Sequence, residues 1–340
     1  MNNAKVAVVI LSWCGKKFLQ QFVPGIIKSL PENAELIIAD NASGDGTVEW
    51  LRENFKDVTI IDLKNNLGFA GGYNKALSDL RHEYFVLLNQ DVEVSQGWLE
   101  PLIEMADEDK NIAAIQPKIK WQRNKNQFEY AGAAGGWIDK NGFTFCRGRL
   151  FDTIENDEGQ FEDAQEIFWA SGACMLVRRD VFIKAGMLDA DLFAHMEEID
   201  LCWRIHRHGY KVNYCPKSTV YHVGGGSLPQ GNPFKTYLNF RNSLVLLTKN
   251  VEPQSLFVKL FVRMMLDNVA AVKSIFSLQW KTAQAIITAQ LHFISHYSHW
   301  KSKRKTDIPF VPFEKLPGVY NKSLLWQYFI KRKRKFKELK

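Results

Sequence analysis

Several features of common protein classes are missing from this sequence of 340 residues. Its five cysteines are widely separated and form no Cys-x-x-Cys pair, which argues against a disulfide framework or a zinc site and favours a reducing compartment. No run of about 18 uncharged apolar residues occurs, so we predict no transmembrane helix. The apolar start of the chain is short and continues into motif-rich sequence, so we expect a first strand there and not a signal peptide.

Basic charge is scarce in most of the chain. The formal net charge is +7, yet residues 301–340 alone carry a net charge of +10, which leaves −3 for residues 1–300. A catalytic surface without excess basic charge argues against a nucleic-acid partner, whereas a basic tail next to apolar helices suits an anionic membrane surface. We therefore predict no nucleic-acid partner and a peripheral contact with the inner, cytoplasmic face of the cell membrane.

Short apolar runs alternate with helix-like stretches in the first two-fifths of the chain. Runs of this kind predict strands of a mostly parallel, doubly wound α/β sheet with helices on both faces. The strands are expected at Val6–Leu11, Glu35–Asp40, Val58–Leu63, Tyr84–Asp91 and Ala113–Ile119, and the helices at Phe18–Leu30, Val48–Phe55, Ala70–Leu80 and Trp98–Ala106. Ligands of such sheets bind beyond the carboxyl ends of the strands, where Ser12, Asp40 and Asn89 lie.

The second half of the chain is less regular. We interpret residues 121–168 as a long surface excursion or small ribbon. The later elements are predicted as strands at Ala173–Arg179, Lys211–Cys215 and Thr219–His222, with a helix at Ile199–His208. From Pro253 the chain becomes helical and apolar around a polar stripe of Lys259, Arg263, Asp267 and Ser274, a pattern that fits either a buried helix or a membrane face.

Four groups of residues can carry chemistry. Asp91 ends an apolar strand and can bind a hard cation, although a solvated turn residue is the alternative. Glu197 and Glu198 stand at the start of a helix with Asp200; capping explains Asp200, and the surplus acids suggest a general base. His222, followed by Gly224–Ser227, is either a metal ligand or structural. Residues 68–72 are glycine-rich but have neither GxGxxG spacing nor a P-loop lysine.

Taken in order, these segments resemble glycosyltransferase family 2, the inverting enzymes of GT-A fold, and especially its bacterial rhamnosyltransferase-like members. The similarity extends over about residues 5–250 and rests on five segments: VVILSWCG, IIADNASGDGT, NNLGFAGGYNKAL, LLNQDVEV and WASGACMLVRRDVFIKAGMLDADLFAHMEEIDLCWRIHRHGYKVNYCPKSTVYHVGGGS. Five such segments in the correct order are far more specific than any one of them.

The resemblance implies a set of roles. Glu198 matches the catalytic base with Glu197 as its partner, and Asp91 and His222 match the ligands of a divalent metal, Mn or Mg. Trp169 and Gly172 match the acceptor side. The donor, a nucleoside-diphosphate sugar, would be bound by Ser12, Asp40, Asn66, Gly68, Asn74 and Asn89. The acceptor would be a glycan or a lipid-linked molecule.

The chain also departs from the family pattern. Ser12-Trp13 replaces Asn-Tyr, Asn89-Gln90-Asp91 keeps one carboxylate where many relatives have two, and Glu198 replaces an aspartate, so that Glu197 remains the reserve base. We expect a catalytic domain over residues 1–250, with a nucleotide-sugar half at about 1–120 and an acceptor half at about 165–250, and a helical, basic region over 251–340. A nucleotidyltransferase and a non-catalytic nucleotide-sugar-binding membrane scaffold are the alternative functions.

Overall fold

The computed structural model describes residues 4–224 and 231–339. Strands and helices alternate in the first part of this range and helices predominate in the last. The strands are β1 (Val6–Ser12), β2 (Ala34–Asp40), β3 (Thr59–Asp62), β4 (Tyr84–Asn89), β5 (Val92–Val94), β6 (Ile112–Trp121), β7 (Asn124–Phe128), β8 (Gly136–Asp139), β9 (Thr144–Cys146), β10 (Arg149–Leu150), β11 (Thr153–Ile154), β12 (Gln165–Glu166), β13 (Cys174–Arg178), β14 (Lys211–His222) and β15 (Val319–Tyr320). The helices are α1 (Lys16–Lys28), α2 (Thr47–Asn54), α3 (Gly68–Leu77), α4 (Glu100–Glu108), α5 (Arg179–Lys184), α6 (Glu197–Arg207), α7 (Pro233–Asn250), α8 (Pro253–Phe276), α9 (Trp280–Ser295) and α10 (Tyr297–Ser302).

The main sheet has the order β12-β14-β6-β13-β4-β1-β2-β3, with β5 paired to β14 and β7 paired to β6. Strands β1 to β4 are mutually parallel, whereas β13 runs antiparallel between β4 and β6. Their apolar side chains alternate between two buried clusters, one on each face of the sheet, because successive residues of a strand point to opposite faces. The predicted α/β sheet is confirmed, and the five strands and four helices expected over residues 6–119 begin and end within three residues of the expected positions; the short strand β5 was not predicted.

Strand β14 differs from the prediction in its length. We expected two strands, Lys211–Cys215 and Thr219–His222, but the chain forms a single strand along β6 with a register shift between Cys215 and Thr219. Pro216 lies in that interruption. Since proline has no backbone N–H to donate, the pairing breaks there and resumes after Ser218.

Of the two alternatives predicted for residues 121–168, a surface excursion or a small ribbon, the surface excursion is wrong. These residues form most of a second sheet, in the order β11-β10-β9-β8-β15. Phe128, Phe145 and Phe161 are buried in its interior. The strands are two to four residues long, and the last, β15, comes from a part of the chain about 180 residues beyond its partner β8. Local sequence patterns carry little information about so distant a partner.

The helical region after residue 250 packs against the rest of the protein. Leu256 and Phe313 join the same buried cluster as the main sheet and α6. Within residues 4–224 and 231–339, no helix is both long and apolar enough to cross a membrane. The division of the chain at residue 250 stays a prediction.

Candidate active site

The carboxyl ends of the parallel strands meet at one edge of the main sheet. Ser12 pairs with Asp40 across β1 and β2, and Asn89 lies beside Leu11 on the other side of β1. The antiparallel strand β13 begins at the same edge, where the carbonyl of Ala173 accepts a hydrogen bond of 3.0 Å from the backbone N–H of Asn89. The polar residues that follow separate strands are therefore neighbours, as the sequence predicted.

Ser12 is held by a residue that sequence reasoning assigned no role. Its hydroxyl donates to Gln90 Oε1 at 2.9 Å, and the backbone N–H of Trp13 donates to the same oxygen at 3.0 Å. A Cβ on Gly15 would lie 1.9 Å from this oxygen, so a side chain at position 15 would displace Gln90. Gln90 thus ties the end of β1 to the end of β4, and the donor-binding role of Ser12 stays a prediction.

The two carboxylate oxygens of Asp40 differ in their hydrogen bonding. The side chain is buried, and Oδ2 accepts from the backbone N–H of Ser43 at 2.8 Å. Its other oxygen, Oδ1, is buried with no hydrogen-bond partner among the described residues. A buried acceptor without a partner costs about 1–3 kcal/mol, which a ligand N–H could recover. This arrangement suits the predicted contact with a nucleotide base.

In the described part of the chain, the backbone N–H groups of Gly68, Phe69 and Ala70 at the start of α3 already have hydrogen-bond partners. The backbone N–H groups of Phe69 and Ala70 both donate to the carbonyl of Phe193, at 2.8 and 3.2 Å. Gly68 has φ +69°, and a Cβ there would come within 2.5 Å of the Phe193 ring. Asn66 Oδ1 accepts from the Gly68 N–H at 2.9 Å and from the Asn41 amide. Asn66 and Gly68 therefore shape this corner, and contact with the donor stays a prediction for both.

Asn74 lies one helical turn further along α3. Its side chain exchanges two hydrogen bonds with the backbone of Leu188, donating at 2.7 Å and accepting at 3.1 Å. This pair joins α3 to the loop that precedes α6. Because both polar atoms of the amide are used, the residue aligns the loop, and its predicted role in donor binding remains untested.

Asp91 and His222 are brought together, with a second carboxylate that sequence reasoning missed. His222 Nε2 lies 3.1 Å from Asp91 Oδ1 and 3.5 Å from the Asn89 amide nitrogen, and its Nδ1 lies 3.3 Å from Oε1 of Glu129. All but Asn89 are buried. Burial alone would lower the pKa of His222, but Asp91 and Glu129 outweigh it and raise the pKa to about 10. No local pattern around Glu129 could have identified it, because it lies 93 positions before His222 in the sequence.

This cluster fits a divalent ion only in part. The described residues contain no group of three or more His, Cys, Asp or Glu side chains able to hold a metal. Asp91 Oδ1 and His222 Nε2, however, are 3.1 Å apart, close to the roughly 3 Å between adjacent ligands of an octahedral ion bound at about 2.1 Å. Such an ion often takes its remaining ligands from substrate phosphates and water. Glu129 on the far side of the imidazole would hold the ring in place.

Glu197 and Glu198 form a pair of carboxyl groups in the first turn of α6. Burial, together with the charge of Glu198, raises the pKa of Glu197 well above its usual range. Burial raises the pKa of Glu198 to about 7. Oε2 of each has no hydrogen-bond partner within the described parts of the chain. Burial therefore favours the neutral form of both carboxyl groups, and the charge of Glu198 adds to this effect at Glu197.

The backbone before α6 is strained. Phe193, His195 and Met196 all have positive φ angles, 66°, 67° and 72°. Such conformations cost of order 1–3 kcal/mol each for residues other than glycine and are concentrated at functional sites. Asn242 on α7 donates to the carbonyls of Ala194 and His195 at 2.9 and 2.7 Å and holds this loop.

Gly172 and Trp169 differ in their surroundings. A Cβ on Gly172 would lie 3.8 Å from the Cβ of Glu198, so the glycine places the start of β13 directly beside the proposed base. Trp169 is buried, and its indole N–H donates to the carbonyl of Trp137 at 3.0 Å. It therefore links the second sheet to the site, while the acceptor-side role of both residues stays a prediction.

Asp200 is not a helix cap, contrary to expectation. Its carboxylate is fully buried and accepts from Arg204 at 2.9 Å, Lys249 at 2.7 Å and Asn250 at 2.8 Å. Burial alone would raise its pKa, but Arg204 and Lys249 hold it well below its usual range. The network anchors α6 to the end of α7.

Of the predicted glycine-rich loop, residues 225–227 lie outside the described residues.

The fold and this sheet edge are those of a glycosyltransferase with the GT-A fold. Solved structures support the assignment of the fold. GalNAc-T7 with UDP, GalNAc and Mn²⁺ superposes with a TM-score of 0.59 at 19% identity, covering 74% of this chain and 48% of that one. A mannosyltransferase from Pyrobaculum calidifontis with GDP-Man and Mn²⁺ has a TM-score of 0.53 at 14% identity, covering 88% of this chain and 83% of that one.

The chain belongs to glycosyl transferase family 2, whose pattern matches residues 7–186, more than half of its length. A similar curated protein is the N-acetylglucosaminyl-diphospho-decaprenol L-rhamnosyltransferase of Mycobacterium tuberculosis, which is 24% identical over 233 residues. That alignment covers 63% of this chain and 75% of the mycobacterial protein. The family predicted from the five sequence segments is confirmed.

Proposed function

We propose that this enzyme transfers a sugar from a nucleoside-diphosphate sugar, of the dTDP-rhamnose or UDP-sugar type, to an acceptor hydroxyl with inversion of the anomeric centre. The observation that carries the proposal is the Glu197–Glu198 pair beside Gly172, at the sheet edge that also holds Asp91 and His222. A base and a cation-binding group at one edge are what a single displacement requires.

Glu198 is the proposed general base. A base is most effective when its pKa lies near the working pH, and burial raises the pKa of Glu198 to about 7. Ionised, it can take the proton of an acceptor hydroxyl as the oxygen attacks the anomeric carbon. Burial and the charge of Glu198 favour the neutral form of Glu197, which limits the repulsion between the two acids. The chain needs no covalent intermediate for this step.

Asp91 and His222 are the proposed holders of a divalent ion, Mn or Mg, and the Mn²⁺ in both related structures supports this. When bound, the ion supplies positive charge that offsets the charge developing on the departing diphosphate. Asp91 contributes the one carboxylate of the Asn89-Gln90-Asp91 segment, and Glu129 keeps the His222 ring oriented toward it. Asp40 would accept from the nucleotide base through Oδ1.

The acceptor is proposed to be a growing glycan or a lipid-linked sugar of cell-surface polysaccharide synthesis. The name of the mycobacterial relative, which includes a diphospho-decaprenol acceptor, supports this class. To reach a lipid-linked acceptor, the enzyme must act at a membrane surface. The net charge of +10 in residues 301–340 favours peripheral contact with the anionic, cytoplasmic face of that membrane.

One assay separates this function from its rivals. Purified protein is given UDP-, dTDP- or GDP-sugars with Mn²⁺ or Mg²⁺, with and without polyprenyl-diphospho-N-acetylglucosamine, and release of nucleoside diphosphate is measured. We expect release that depends on acceptor and is lost in Glu198→Gln. A nucleotidyltransferase would release pyrophosphate from a nucleoside triphosphate instead. A binding scaffold would bind the nucleotide sugar without turnover, and either result would refute the proposal.

A further inference from the structure

Helix α8 packs with its polar side inward. Arg263 and Asp267 are buried, with Asp267 fully inaccessible, and they form an ion pair of 2.9 Å. The guanidinium of Arg263 also donates to the carbonyl of Gly142 at 2.7 Å, and the Lys259 ammonium pairs with Glu314 at 2.9 Å. These residues are the polar stripe that a helix at the surface of a water-soluble protein turns toward solvent.

The opposite side of α8 presents large apolar side chains to the outside. Phe257 is 79% exposed and Phe276 85% exposed, and Phe261, Met265 and Val269 lie between them at a spacing of four residues. In the next turn and on α9, which packs against α8, Leu278, Trp280, Leu291 and Ile294 are exposed as well. We name these exposed side chains of α8 and α9 the outer apolar face. Contiguous apolar surface of this kind marks an interaction site.

The charged Asp, Glu, Lys and Arg residues of the sequence from the end of α8 through α10 are all basic. The sequence between Asp267 and Asp307 contains six Lys and Arg residues and no Asp or Glu. Lys273 lies 5.0 Å from the ring centre of Phe329, which places the exposed π-helical turn Trp326–Ile330 next to the end of α8. That turn continues directly into the basic run Lys331–Lys335. The face is therefore apolar with a basic border.

A groove of about 520 Å³ runs between α8 and the α9–α10 segment at the edge of this face. Leu260, Met264 and Phe293 line it, and Lys301 and Arg304 stand in its wall. The Arg304 guanidinium donates to the carbonyl of Val251 at 2.8 Å, which places it at the start of α8. An apolar groove with cations at one end fits a hydrocarbon chain that carries a phosphate group.

We propose that the outer apolar face docks on an anionic lipid bilayer, with the aromatic and aliphatic side chains inserted and the basic border on lipid phosphates. The charge pattern favours lipid over a second copy of this chain. A symmetric dimer through this face would bring the same basic residues of two copies together without acids to neutralise them. The inference deepens the proposed function, on which its biological purpose rests, but docking itself needs neither donor nor acceptor.

The test uses the full-length protein and vesicles of phosphatidylcholine with or without phosphatidylglycerol, without nucleotide. The double variant Phe257→Asp/Phe276→Asp changes only exposed positions, so folding should persist. Its matched control is Ile183→Asp, an exposed apolar residue on α5. We expect wild type and the control to co-sediment with anionic vesicles, and the double variant to bind at least tenfold more weakly. Bromine-labelled lipid chains should quench tryptophan fluorescence more strongly in wild type than in a Trp280→Phe variant, because Trp280 is exposed on α9.

Three outcomes would overturn the proposal. They are equal binding of wild type and the double variant, no binding of wild type to anionic vesicles, and a wild-type dimer in light scattering that the double variant abolishes. Failure of the proposed function would look different. In that case vesicle binding would follow the expected pattern, while no nucleotide sugar is turned over in detergent by wild type or by either variant.

Discussion

Replacing Glu198 by glutamine should stabilise the protein while abolishing transfer. The pKa of Glu198 is raised from 4.5 to about 7 by burial, so keeping the carboxylate charged costs folding free energy. The sign follows from the direction of the shift. The cost is absent below pH 4.5, grows as pH rises toward 7, and is complete above it. A shift of this size corresponds to about 3 kcal/mol at most, and partial exposure of the side chain reduces the expected gain to about 1–3 kcal/mol.

The gain should appear as a rise in Tm of about 1–4 °C at pH 8.5, with little change at pH 4.5, in thermal unfolding followed by circular dichroism. Transfer at pH 7.5 should fall at least about a hundredfold, the scale of a lost general base. Glu166→Gln is the matched control. Burial also raises the pKa of Glu166, but this residue lies on β12, so its variant should keep wild-type activity. An active Glu198→Gln enzyme with an inactive Glu197→Gln enzyme would refute our assignment of the base.

Three further predictions concern the rest of the site. Asp91→Ala should abolish metal-dependent turnover with an unchanged circular dichroism spectrum, and His222→Ala should raise the Mn²⁺ concentration for half-maximal rate; an unchanged metal titration would count against both roles. Asp40→Ala should weaken UDP or dTDP binding in calorimetry by about tenfold before it affects chemistry, and equal affinity would exclude base recognition. Lys249→Met removes one of the cations that pair with the buried carboxylate of Asp200. The free energy of unfolding in urea should fall by about 3–5 kcal/mol. A loss below about 1 kcal/mol would show that the network is dispensable.

The sequence was informative about the first part of the chain because the physics there is local. Apolar runs such as Val6–Ser12 and Tyr84–Asn89 are buried on both faces, and that requirement is written into consecutive residues. The rule that parallel strands end at a common edge then placed Ser12, Asp40 and Asn89 together without knowledge of the structure. The acids at the start of α6 were likewise identified from a local pattern, because Glu197, Glu198 and Asp200 stand close together in the sequence.

Contacts between distant segments could not be predicted in this way. Glu129 reaches His222 across 93 positions of the chain, and Gln90 reaches Ser12 across 78. Neither residue stands in a pattern that reveals its partner. The helical spacing of α8 was visible in the sequence, but the amphipathic pattern is the same whichever side packs inward. Only the structure identifies the polar side as the buried one.

Strand β15 has a consequence for the order in which this protein acquires its structure during synthesis. Its partner β8 leaves the ribosome about 180 residues earlier, and Phe145 in the same sheet meets Tyr320 and Phe336 only after residues 319–336 emerge. Until then the apolar side chains of the second sheet lack part of their cover, a state prone to aggregation. Shortening the chain before β15, or fusing a bulky tag close to the buried Leu339, should therefore lower the yield of folded protein even where the catalytic residues are untouched.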